Sequence, residues 1–182
     1  MVRKVKALFV GCAFLILFSL FNVYQLEQDR FIRAQEQVKI LCDDASVAGA
    51  LFLDDTAYSK GLNVFDQSLS EPVIKNLITH NMRLDSNLIP LGDSFWVSEI
   101  EYWTYYFDDN NIVYVYRNGK LIKQEVFVKG TIFTEPLTDY MKIIKEPTVI
   151  TTIKVEYPSR QLEFLNWPYI VRSSAYENLD RN

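Results

Sequence analysis

The chain has little of what enzyme sites are usually built from. Its 182 residues include one histidine, His80, and two cysteines, Cys12 and Cys42. A Ser–His or Cys–His nucleophile pair would have to use His80, and no Gly-x-Ser-x-Gly elbow surrounds any serine. One histidine and two distant cysteines are too few for a structural zinc site. Glycine is scarce, at six copies, and neither a Walker A loop nor Gly-x-Gly-x-x-Gly occurs, which argues against a phosphate cradle. Beyond the N-terminus no cluster of Lys or Arg is found. The formal charge is −4, and setting aside Arg3, Lys4 and Lys6 leaves −7 for the remainder. An acidic body argues against a nucleic-acid partner, which needs a basic surface. The acidic pairs Asp43-Asp44, Asp54-Asp55 and Asp108-Asp109 lack the ligand spacing of an EF-hand, and Asp108-Asp109-Asn110-Asn111 reads as a hairpin turn. The expectation is a protein that is not an enzyme and carries no metal or cofactor.

What the sequence does contain is an uncharged apolar run, Ala7 to Tyr24. Its length at helical rise is about 27 Å, close to the roughly 30 Å hydrocarbon core of a bilayer. The basic residues before it suit either the n-region of a signal peptide or the positive-inside flank of an anchor. Cleavage would need a small-x-small site, and Phe21-Asn-Val-Tyr-Gln-Leu26 offers none. A lipobox at Val10-Gly11-Cys12 would have too few apolar residues before it. The favoured reading is an uncleaved signal-anchor. Residues 1–6 are then cytoplasmic, residues 7–24 cross the lipid bilayer, the rest is extracytoplasmic, and Tyr24 lies at the outer interface.

The helical pattern continues past the apolar run. Phe31, Ala34, Val38, Leu41, Ala45, Ala48 and Phe52 alternate in steps of three and four, a heptad seam bordered by charged residues. One helix is expected from the membrane to about Leu53, with residues 25–53 as its extracytoplasmic part. The seam packs either on the chain's own sheet or on helices of other copies or subunits. On one helix Cys12 and Cys42 lie about 45 Å apart, far beyond the roughly 7 Å limit for a disulfide. Cys42 is then a buried thiol or an intermolecular bridge.

Residues 54–94 read as a connection holding a second helix over about 70–82. Ser70 is expected as its N-cap, Pro72 in its first turn, and Val73, Leu77, His80 or Asn81, and Leu84 on its apolar side. Residues 95–182 read as an antiparallel sheet of about four strands with a polar tail, consistent with Tyr 11, Phe 12 and Trp 3. From Phe95 to Phe107, alternation puts Ile100, Tyr102, Thr104 and Tyr106 on one face and Trp103, Tyr105 and Phe107 on the other. Asn118-Gly119 between two β-type runs signals a type I′ hairpin. Leu137 to Ile144 reads as a short helix or irregular segment. The fold class is α+β, a long membrane and amphipathic helix followed by a small antiparallel sheet domain.

A short basic lead, an apolar helix continuing into an amphipathic one, and a β-domain resemble the architecture of pilins and pseudopilins. The stretches Ala45-Ser-Val-Ala-Gly-Ala-Leu-Phe-Leu-Asp-Asp55, Gly61-Leu-Asn-Val-Phe-Asp66 and Asn81-Met-Arg-Leu-Asp-Ser-Asn-Leu-Ile-Pro90 are similar to envelope proteins of Gram-positive bacteria that resemble the minor pseudopilins of tight-adherence pili. Pilin processing leaves a Glu five residues after the cleavage Gly, whereas Gly11 is followed at that distance by Ile16. The resemblance therefore implies a permanently anchored accessory protein. It would be a structural or assembly component of a pilus, secretion or conjugation machinery, with other envelope subunits or itself as partner. The alternative is an envelope sensor or peptide-binding module whose aromatic surface is Tyr102, Trp103, Tyr105 and Tyr106.

Overall fold

The computed structural model describes residues 2–158 and 169–178, with side chains from Val10 onward. Trp167 and Pro168, read above as part of the tail, lie outside the described residues. A single helix, α1, runs Val2–Ala50. Nothing in its sequence breaks it, since Gly11 and Gly49 are its only glycines and it holds no proline. It stops three residues short of the expected end. The chain after Ala50 turns into an antiparallel bridge between Leu53 and Phe65, and Asp66 N–H donates to Phe52 O at 2.9 Å. Phe52 therefore lies beyond the helix and outside the seam's geometry.

After a single-turn helix α2 (Asp55–Tyr58), helix α3 spans Gln67–Met82. Its start is one turn earlier than the sequence suggests. Asp66 is the N-cap, accepting from the backbone N–H of Ser68 and Leu69. Ser70 is not a cap; its hydroxyl donates to Gly49 O at 2.9 Å and closes off a carbonyl at the end of α1. The buried face is also displaced by one residue, to Glu71, Ile74, Ile78 and Met82, instead of Val73 and Leu77. Those four are spaced three, four and four apart, as on one helix face, and Leu77 packs partly buried beside them.

The strands are β1 Glu101–Phe107, β2 Ile112–Arg117, β3 Lys120–Val126, β4 Ile132–Thr134, β5 Met141–Ile143, β6 Thr148–Glu156 and β7 Tyr169–Glu177. Five form an antiparallel sheet in the order β3-β2-β1-β6-β7, and β4 pairs with β5 in a separate hairpin. Asn118 and Gly119 take φ of 51° and 78°, as a type I′ turn demands. Three expectations are corrected. The strand expected from Phe95 begins only at Glu101, and the expected helical or irregular stretch Leu137–Ile144 contains β5. The tail read as polar is a full strand, so the sheet has five strands and not four.

Three layers result. Helices α1 and α3 cover one face of the sheet, and the β4–β5 hairpin lies over the other. The larger core joins α1, α3 and the face carrying Ile100, Tyr102, Tyr106, Val149 and Ile153. The smaller joins Tyr105, Phe107, Val113, Val115 and Ile150 to Phe133 and Ile144. This is an α+β arrangement of a long N-terminal apolar helix and a small antiparallel sheet.

Candidate functional site

Helix α1 divides at Glu27. Between Val10 and Leu26 every side chain is exposed except the half-buried Val23, and the residues are largely apolar. Its apolar window has a mean hydropathy of 1.5 with 6% of it buried. The helix is long and apolar enough to cross a membrane. From Glu27 onward the same helix is built into the body of the protein.

The seam is the face that makes this contact. Ala34, Val38, Leu41, Ala45 and Ala48 are buried, and Phe31 meets the Tyr157 ring edge-on at 5.1 Å. The small alanines let α1 come within hydrogen-bonding reach of the sheet. Ser46 Oγ donates to Ser174 O at 3.0 Å and accepts from Thr151 N–H at 3.1 Å, tying the helix to β7 and β6 together. Cys42 Sγ donates to Arg172 O at 3.1 Å. Burial pushes that thiol up to about 12, so it is neither ionised nor open to a second chain. The intermolecular bridge considered for Cys42 therefore has no support. The seam faces the chain's own sheet, and α1 presents outward in the body the apolar Ile32, Ile40 and Val47 among the exposed Arg33, Glu36, Lys39 and Asp44. The seam also extends one step further than the sequence reading placed it. Glu27, four residues before Phe31, is buried and accepts from Tyr157 Oη–H at 3.2 Å.

The four aromatic residues expected as one surface are separated by the sheet. Tyr102 and Tyr106 point toward the helices and are fully buried; Tyr105 points the other way and is 5% exposed. Of the four only Trp103 keeps appreciable exposure, and the Arg117 guanidinium lies 5.5 Å from its ring centroid. Alternation along one strand is the cause, because neighbouring side chains face opposite ways.

Each buried tyrosine is paired with a buried acid that sequence reading passed over. Tyr106 Oη–H donates to Glu71 at 2.8 Å and Tyr102 Oη–H to the same carboxylate at 3.5 Å. Burial raises Glu71 above the ordinary carboxylate range, against the pull of the phenol donors, and raises both phenols in turn. On the opposite face Tyr105 Oη–H donates to Glu135 at 3.0 Å. Glu135 also accepts from Leu137 N–H, Thr138 N–H and Thr138 Oγ1, which shapes the turn leading into β5. At the β1–β2 turn Asp108 accepts from Phe65 N–H at 3.2 Å and Asp109 from Asn63 N–H at 2.7 Å, pinning the loop before α3. Burial pushes Asp108 up to about 7. The only sequence signal for these acids is an ionisable residue on an apolar face, as with Glu27 on the seam.

The concavity nearest the aromatic residues lies between the outer face of the sheet and the β4–β5 hairpin. It has a volume of about 420 Å³ and is lined by Trp103, Tyr105, Val115, Ile122, Phe133 and Leu137 among others. Its walls are mostly apolar, and the ionisable groups among them, Lys123 and Glu125, pair with each other at 2.7 Å. Among the described residues, no three His, Cys, Asp or Glu are grouped to hold a metal ion. His80 is exposed on α3, away from any serine or cysteine hydrogen bond described for the chain. Compared with family models, with curated proteins and with solved structures, the chain finds no match in any of the three.

Proposed function

We propose that the protein is a membrane-anchored, extracytoplasmic structural or assembly component of a bacterial surface apparatus, acting through helix packing and protein–protein contacts. One observation carries the reading: α1 passes from an exposed apolar stem into the packed body without a linker. A stem continuous with its head fixes the height and tilt of the body above a bilayer. A subunit whose position must be relayed to neighbours needs this, whereas a tethered binding module does not. The basic residues Arg3, Lys4 and Lys6 favour a cytoplasmic N-terminus. The buried acids serve the fold by pairing with tyrosines and backbone amides, which supports a non-enzymatic role.

Two measurements in cells test this. A cysteine at the exposed Leu51, in a chain with Cys12 replaced by serine, should react with a membrane-impermeant maleimide in intact cells. No reaction until lysis would overturn the topology. Cysteines at Phe18 in the stem and Ile40 in the outward face of α1 should crosslink to neighbouring envelope subunits or to a second copy. If neither gives an adduct in membranes, the assembly reading loses its support. The second reading, a peptide or ligand module, is favoured by the groove beside Trp103 and Tyr105. It requires Trp103→Ala to abolish binding at unchanged stability; a mere fall in melting temperature leaves the tryptophan as packing.

A further inference from the structure

Strand β3 is an edge strand that nothing in the described structure covers. It pairs only with β2, and all seven of its residues are exposed, Leu121 by 50%, Ile122 by 56% and Val126 by 82%. Its outer row of backbone N–H and C=O groups is a template for another strand. The sequence Lys120-Leu-Ile-Lys-Gln-Glu-Val-Phe-Val128 also has a symmetry that identifies the occupant.

Consider β3 facing the same strand of a second copy. A two-fold axis normal to the sheet keeps every residue on its own face, and directly opposed residues must share a face. A residue can then oppose only residues an even number of positions away, so the axis must pass beside one residue. Centring on Lys123 sets lysine against lysine, and centring on Glu125 sets glutamate against glutamate, both unfavourable. Centring on Ile122 or Val126 sets a charged residue against an apolar one. The β2–β3 register shifts by one residue at Ile122, so strict alternation holds from Lys123 to Val126. Within that regular run, centring on Gln124 sets amide against amide and Lys123 against the partner's Glu125, and symmetry doubles the unlike pair. Lys123 and Glu125 already lie on one face within the chain, 2.7 Å apart as an ion pair, so the four charges form an alternating square.

We propose that two copies of this chain join edge to edge through β3, antiparallel about Gln124, into one continuous ten-stranded sheet. The inference rests on β3 alone and not on the membrane reading, but the two are compatible. β6 runs alongside α1, with Val149 against Gly49 and Tyr157 at Glu27. Three strand steps separate β6 from β3, and sheet twist turns the strand direction by about 60–75° over them. The normal to the sheet at β3 is thereby swung toward the axis of α1, and a two-fold along it lets both stems enter the same bilayer.

The test uses the full chain in detergent or nanodiscs. Lys123→Glu and Glu125→Lys, each alone, should raise the dimer dissociation constant at least tenfold by light scattering or sedimentation. The double variant restores opposite charges across the axis and should return to within about threefold of the native value. With Cys12 replaced by serine, Gln124→Cys should give a disulfide-linked dimer under mild oxidation, since opposed Cα atoms at about 4.5–5.5 Å lie within bridging range. Leu121→Cys, about 20 Å from its own copy in this register, should not. A chain that is monomeric at every concentration overturns the proposal. A dimer indifferent to both reversals also does, and would assign association to the stems. Linkage through Leu121→Cys in place of Gln124→Cys rejects the register and with it the pairing.

Discussion

At the scale of single residues, the body is organised by buried acids. Asp108 has one carboxylate oxygen on Phe65 N–H, while the other makes no hydrogen bond among the described residues. Burial raises its folded-state value to about 7 from 3.8. A carboxyl raised on folding binds its proton more tightly in the native state, so its favourable contribution is complete below about 4 and is lost as pH rises to about 7. Asp108→Asn keeps one oxygen for Phe65 and removes the charge. Its melting temperature should exceed that of the native chain at pH 8 and approach it at pH 4, the difference in stability at high pH reaching up to about 4 kcal/mol. A constant offset at all pH values would show that Asp108 does not titrate in that window. Glu71 is also raised, and its two phenol donors oppose the rise. Tyr106→Phe should therefore destabilise by about 1–3 kcal/mol, more at high pH, because it strips a donor from a buried carboxylate. Adding Glu71→Gln should recover part of the loss, and simple additivity in the double-mutant cycle would refute the coupling.

At the scale of elements, the closest approach is where α1, α3 and β6 meet at Gly49. A Cβ there would lie 2.9 Å from Ile74 Cδ1 and 3.0 Å from Val149 Cγ1. Gly49→Val should cost about 2–3 kcal/mol by overpacking, read as a fall in denaturant midpoint. An unchanged midpoint would mean that α3 can slide outward freely. Features that depend on neighbours in sequence were legible from it: the seam of α1, the Asn118-Gly119 turn, and the two faces of β1. The end of α1 and the start of α3 were less legible. Ser70 has the look of a cap, but its hydroxyl is taken by Gly49 O, and Asp66 caps the helix one turn earlier. β7 showed no alternation because its Ser173 and Ser174 are satisfied by partners distant in sequence, Thr138 and Thr152 for the first and Asp43 and Ser46 for the second. Polar residues with such partners can be buried, and a hydropathy pattern carries no sign of them. The aromatic surface failed for a related reason: periodicity separated the two faces of β1, but not that helices would cover one and a hairpin the other.

At the scale of the whole molecule, the stem and the body are one helix with two different jobs. The body needs α1 only from Glu27 onward, where the seam meets β6, β7 and α3; the apolar residues from Val10 to Leu26 touch little of it. Most helical stability comes from packing an amphipathic face, so the half that is packed should hold its shape without the half that is not. A chain beginning at Tyr24 keeps Glu27, its bond from Tyr157 and the contact of Phe31. It should be recovered soluble, unfold in a single transition, and melt within about 3 °C of the full chain in detergent, a shift of about 1 kcal/mol for a body of this size. A chain beginning at Cys42 loses Phe31, Ala34, Val38 and Leu41 from the core, on the order of 5 kcal/mol of apolar burial, and should not give a cooperative melt. Circular dichroism melts of the two truncations decide the matter. A drop of more than about 10 °C for the Tyr24 chain would mean that the stem supports the fold, and the division of α1 at Glu27 would be wrong.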